Sequence, residues 1–347
     1  MRIESRKKYP DILRVLASLG VVLIHVTANV VREYNDSNTM LEIVQMLNQF
    51  VRWSVPIFFM ISGMFFLSDR KEYTMKEILK GPLAKLIIYI FVWGFIYSVI
   101  DIYFTSSFTW KSFFVILLRI GLGKTGYHLW FLYSLATIYL TVPYLRILVQ
   151  KMSRRQYEFL LLLWLVLFVC VRQANSFSQM IGWESISFNY TFPMITDYLG
   201  FFLLGDYLNR FSFSALTKKI LILSGSLLLF IGIGANAFFT LEMDQGINFF
   251  TDERGIAIVF ASVALFLMFQ TFENKKSFGA IRWISKYTLG IYLIHPAIIS
   301  VMDECMPVSL LEMNPLLYTF LSGILVFSSS MLIVFVMKKI PGIKKLV

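Results

Sequence analysis

Charge is scarce in this chain. Asp, Glu, Lys and Arg make up 15% of its 347 residues, against about 25% in ordinary soluble proteins, and a water-soluble fold cannot hide the 57% that are hydrophobic. Cysteine is scarcer still. Cys170 and Cys305 stand far apart in apolar surroundings, and with no CxxC or Cys/His spacing they encode neither a metal site nor a disulfide framework, which leaves the redox compartment open. Linkers, low-complexity tracts, internal repeats and soluble insertions are also missing, so one integral membrane domain accounts for residues 1–347. The segment Met1 to Asp11 is too polar for a signal-peptide core, and the apolar run after it has no small-residue cleavage site. It reads as a retained first transmembrane helix.

What the chain has in quantity is apolar runs. Crossing a hydrocarbon layer takes roughly 20 mostly apolar residues, and ten runs qualify: 12–31, 49–67, 83–104, 127–149, 157–172, 192–209, 217–239, 255–272, 283–302 and 315–337. The fifth is short, and the sixth carries Asp197 and Gly205. Between the third and fourth, Trp110 to Leu122 mixes apolar residues with Lys111 and Arg119, the pattern of a helix lying in the interface. The expected fold is an all-α polytopic membrane protein with about ten transmembrane helices.

The net charge of +11 suggests nucleic acid in a soluble chain, but here it follows topology. Lys and Arg favour cytoplasmic loops. With the N-terminus inside, 24 of the 32 basic residues fall on the cytoplasmic side, in clusters such as Arg2/Arg6/Lys7/Lys8, Arg70/Lys71, Arg154/Arg155, Lys275/Lys276 and Lys344/Lys345. Only Arg32, Arg52, Lys111, Arg119, Lys124, Arg172 and Arg254 fall outside, with Arg14 left within the first helix. Both termini are therefore expected in the cytoplasm, and no nucleic-acid partner is needed. The outward face is acidic and aromatic, with Glu33, Asp36, Trp110, Trp183, Glu184, Glu242, Asp244, Asp252 and Glu253. Such a face can bind a sugar or simply be solvated.

An ionisable group within a transmembrane helix costs about 2.5–3.5 kcal/mol on insertion scales unless compensated. Arg14 and His25 in the first run are eleven residues apart, so they share a helical face and lie about 16 Å apart along the axis. Arg can hold a phosphate or carboxylate with its forked donors, and His exchanges a proton near neutral pH. The plainer reading has Arg14 snorkelling and pairing with Asp11, which leaves an imidazole at mid-depth without a reason. Asn29 lies one turn beyond His25. His128 and His295 are the only other histidines; an aromatic belt explains the first, and a backbone carbonyl freed near Pro296 the second. Neither explains why all three histidines fall in apolar runs and none in a loop. Ser62-Gly63 could hold a nucleophile, but close helix packing suits a small pair better. Lys80 and Lys85 at the mouth of the third helix suit a phosphorylated ligand or anionic lipid equally.

Four stretches resemble membrane acyltransferase family 3: Arg14 with His25, Pro56 to Phe66 with its Ser-Gly, His128-Leu-Trp130-Phe-Leu132 followed by Pro143, and Ser285 to His295. Their order and spacing extend the resemblance over nearly the whole chain. It implies ten core helices in a bacterial plasma membrane and a cytoplasmic acyl-coenzyme A co-substrate, acetyl-coenzyme A foremost. The acceptor it implies is a surface glycan or glycolipid reached from outside. It also implies His25 as the catalytic residue and Arg14, Lys80 and Lys85 as donor contacts, with Asp11, Asn29, His128, Trp130 and His295 in support and no metal. Many members carry Arg-x-x-Arg before the third helix, where this chain reads Lys80-Gly-Pro-Leu-Ala-Lys85. No extracellular esterase-like domain is fused to it, and a homo-oligomer is left open. O-acyl transfer is the leading expectation. A transporter of serine or polysaccharide is the runner-up, and a non-catalytic receptor, in which Arg14 and His25 could be changed freely, is the third.

Overall fold

The structure is a computed structural model that describes residues 7–33, 39–68, 73–105, 110–182, 194–243, 248–271, 279–305 and 314–347; every regular element among them is helical. Outside these lie Arg2, Arg6, Arg70, Lys71, Lys275 and Lys276 of the expected inner side, and Asp36, Trp183, Glu184 and Asp244 of the outer. The helices are α1 (Tyr9–Glu33), α2 (Thr39–Phe50), α3 (Ser54–Phe66), α4 (Met75–Lys80), α5 (Pro82–Thr105), α6 (Trp110–Gly121), α7 (Trp130–Lys151), α8 (Arg154–Trp164), α9 (Val171–Met180), α10 (Met194–Arg210), α11 (Ala215–Met243), α12 (Ile256–Thr271), α13 (Gly279–Ile284), α14 (Thr288–Cys305) and α15 (Pro315–Met337). The apolar runs meet helices, but 49–67 covers the end of α2 and all of α3, 157–172 runs from α8 through a π-helical turn into α9, and 283–302 spans the end of α13 and most of α14. Among the described residues, seven stretches are long and apolar enough to cross a membrane: Tyr9–Glu33, Met40–Phe66, Met75–Ile102, Trp130–Lys151, Arg154–Ser178, Ala215–Glu242 and Pro315–Met337.

At two of the boundaries that differ from the hydropathy pattern a polar residue is paid for by a partner on another helix; elsewhere α7 begins only at Trp130, and a turn at 285–287 separates α13 from α14. The second run was expected from residue 49, but helix begins at Thr39. Asn48 and Gln49, which interrupt the apolar pattern, are buried and hydrogen-bond across to α1 and α11. The short fifth run continues through a π-helical turn, Leu165–Cys170, into α9. There Arg172 pairs with Asp197 at 2.7 Å, and Gln173 accepts the first amide of α12, from Ile256, at 3.0 Å. That amide would otherwise be an unsatisfied helix end.

Helix α1 runs through the middle, packed against α2, α3, α12, α13, α14 and α15. Beside it, α3 and α10 approach so closely that only glycine fits. A Cβ on Gly63 would lie 1.7 Å from the Phe202 carbonyl oxygen, and one on Gly205 would lie 1.9 Å from that of Met60. Small residues let membrane helices gain dispersion contacts backbone to backbone. Gly63 therefore serves packing, as the sequence suggested, and Gly205, an oddity in the sixth run, is its counterpart. Gly205→Leu is expected to separate α3 from α10 and destabilise the fold by at least about 2 kcal/mol, read as a lower unfolding temperature of the purified protein.

Candidate active site

The three histidines, 103 or more residues apart in sequence, come together. The His25 and His295 rings are 5.1 Å apart and those of His128 and His295 5.7 Å. His128 and His295 are fully buried. Among the described residues neither nitrogen of the His128 ring has a hydrogen-bond partner, and the Nε2 of His295 has none. Its Nδ1 lies 3.2 Å from the Ile291 carbonyl. Backbone near Pro296 thus does hold His295, but only through one nitrogen. Among the described residues no group of three or more His, Cys, Asp or Glu side chains is placed to hold a metal ion.

Local structure fixes each ring. On α1, the amide of Asn48 donates to the Ile24 carbonyl at 2.9 Å and to the Thr27 hydroxyl at 2.7 Å, so α2 grips α1 on both sides of His25. His128 sits in the turn before α7, whose Gly126 has φ +24°. A Cβ there would press at 3.3 Å on both the His128 and Tyr97 rings. The hydroxyl of Tyr292 donates to the His128 carbonyl, and that of Tyr97 to the Leu293 carbonyl at 2.7 Å, tying α14 and α5 to this turn.

His25 is only partly buried because it faces a cavity of about 270 Å³. Arg14, Ser62 and Tyr139 line the cavity, as do His25, His128 and Tyr292, and so do Trp130 and Glu253. Most of the remaining wall is apolar, from Val21, Ile24, Phe58, Phe131 and Leu135 among others. Arg14 reaches Asp11 at 3.2 Å and lies over the Phe65 ring. It therefore keeps the acid pairing expected of it and lines the same cavity as His25. Glu253 accepts a hydrogen bond from Tyr198. Burial pushes its carboxyl up, and the Tyr198 hydroxyl opposes that shift.

The other expected site residues divide. His128 and Trp130 line the cavity, and His295 stands behind His25. Lys80, at the end of α4, and Lys85, in the first turn of α5, are exposed and do not line it, although Leu86 does. Asn29 turns away to Asp303, at 2.5 Å, and to Arg32. Glu253, Tyr139 and Tyr292 were not singled out. Glu253 looked like part of a solvated acidic loop, and no periodicity marks the two tyrosines in a chain with 17. Ser62 bonds its own helix, to Phe58 O at 2.8 Å, while facing the cavity.

Compared with known families, residues 7–335 match the model described as "Acyltransferase domain". No curated protein and no solved structure gives a significant match.

Gly126→Ala is expected to strain the turn that seats His128, because alanine avoids this φ and its methyl would press on two rings. The expected loss is about 1–2 kcal/mol, measured by thermal unfolding.

Proposed function

Because the chain belongs to membrane acyltransferase family 3, we propose that it moves an acyl group, acetyl foremost, from cytoplasmic acyl-coenzyme A to a sugar hydroxyl of a lipid-linked or surface glycan outside. The observation that carries this reading is one narrow cavity containing Arg14, His25 and Glu253 together. At about 270 Å³ it is smaller than the ~300–1,000 Å³ of drug-sized ligand sites. It suits the slender thiol arm and acyl group of the donor, with the nucleotide left outside. Arg14 would meet phosphate at that mouth. Lys80 on α4 and Lys85 on α5, both exposed, would act only on the part of the donor outside the cavity.

The sugar oxygen attacks the thioester carbonyl carbon, a C–O bond forms, and the C–S bond breaks. His25 takes the hydroxyl proton and returns it to the departing thiolate, so that coenzyme A leaves as a thiol. An imidazole does this without a permanent charge in the membrane. An acyl-imidazole on His25 that the sugar then attacks gives the same balance. The sequence's concentration of basic residues in alternate loops favours cytoplasmic termini, and with them donor entry from that side.

A passage lined from Arg14 to Glu253 also favours the rival reading, a permease. Protein reconstituted with labelled acetyl-coenzyme A should place label on glycan, whereas counterflow of serine without glycan labelling would support transport instead. His25→Ala should lower transfer at least about a thousandfold with the fold intact, since no described residue hydrogen-bonds its ring. Transfer at the parental rate would sink the assignment.

A further inference from the structure

Behind the turn that carries His128 lies a second cleft, of about 510 Å³, between α5, α6 and α14. It shares His128 and Trp130 with the His25 cavity, so side chains alone divide the two spaces. Tyr127 stands against both: it lines the cleft, and its ring is 4.9 Å from that of His25.

Polar atoms at the cleft lack a partner among the described residues: the hydroxyl of Ser98, 3% exposed, and both ring nitrogens of His128, 2% exposed. Leaving such groups dry costs about 1–3 kcal/mol each. A fold that retains several at one cleft has partners for them arriving from elsewhere. At the wider end Asp101 and Arg119 pair at 2.8 Å while staying about half exposed, so they offer acceptors and donors to a ligand as well as to each other. Tyr127 and Trp130 add flat aromatic faces with polar edges.

We propose that this cleft is the acceptor subsite and that it takes one pyranose ring of a glycan. A pyranose presents hydroxyls that each both donate and accept to Ser98, His128 and the Asp101–Arg119 pair, and an apolar C–H face to Tyr127 or Trp130. An apolar lipid tail would leave the polar atoms unmet, and a lone anion would leave the aromatic faces unused. The proposal rests on the acyl-transfer reading and adds where the acceptor binds and how it is recognised. The ring seated here lies beside Tyr127, whose own ring is 4.9 Å from that of His25, and the hydroxyl to be acylated must reach past it into the His25 cavity for the imidazole to take its proton.

The test uses the full chain in lipid nanodiscs with labelled acetyl-coenzyme A. The acceptor probes are methyl glucoside, methyl galactoside, methyl mannoside and N-acetylglucosamine, with total glycan extracted from the producing cells. Asp101→Ala and Ser98→Val should each raise the KM for the sugar about fivefold to tenfold and leave the KM for acetyl-coenzyme A within about twofold. Asp101 is half exposed, so its variant reports even if Ser98→Val misfolds. Unchanged sugar KM in Asp101→Ala, with parental sugar acetylation intact, overturns the subsite and spares the acyl-transfer reading. Failure of the parental protein to acetylate any of these carbohydrates overturns both.

Discussion

The grip of Asn48 on α1 is the constraint on which the site depends. Its amide bonds the Ile24 carbonyl and the Thr27 hydroxyl, and its carbonyl oxygen accepts from Arg52 at 3.1 Å. A helix in an apolar bundle can slide or rotate at little dispersion cost, because one apolar contact replaces another. A buried amide cannot be moved without leaving polar groups unpaired. The depth and rotation of His25 are therefore set by a side chain that never touches it, on a neighbouring helix.

The same logic holds the adjoining wall of the cavity, which Arg52 links to Asn48 through the Thr251 carbonyl. Asn236 of α11 donates to Gln49 at 2.9 Å and to Thr251 at 2.8 Å, and accepts the Phe250 amide. Arg254 and Arg172 share Asp197 at 2.8 and 2.7 Å. Together these bonds hold the 248–255 segment down on α2, α10 and α11, and Glu253 enters the cavity wall as a result. None of these residues is basic or acidic without reason: each charge in this shell has an opposite charge or a carbonyl beside it, the condition for keeping it away from water.

Much of this could be read beforehand. The apolar runs located the helices because hydropathy measures what the bundle must satisfy, and Arg14 and His25 stood out because each is expensive where it sits. The meeting of His25, His128 and His295 was invisible because it depends on how α1, α14 and the turn before α7 pack, which no spacing encodes. Its only trace was that all three histidines fall in apolar runs, although the structure puts His128 in the turn just before α7 and not in the helix that the run 127–149 suggested. Asn48, Gln49 and Asn236 were missed for a related reason: in one dimension a buried amide resembles an interruption of a helix, and only its partner shows that it is a joint. Glu253 was legible as an acid on an outer loop, but the inward turn of that loop was not.

The thin partition formed by His128 and Trp130 has one more consequence. A membrane that stores an ion gradient cannot tolerate an open water path, and two chambers that adjoin at a pair of rings can pass a small group without a wide column of solvent between them. Here those rings are His128 and Trp130, which line both spaces. The partition would then act as electrical insulation, and its thickness would limit which acyl groups can be handed across without short-circuiting the cell.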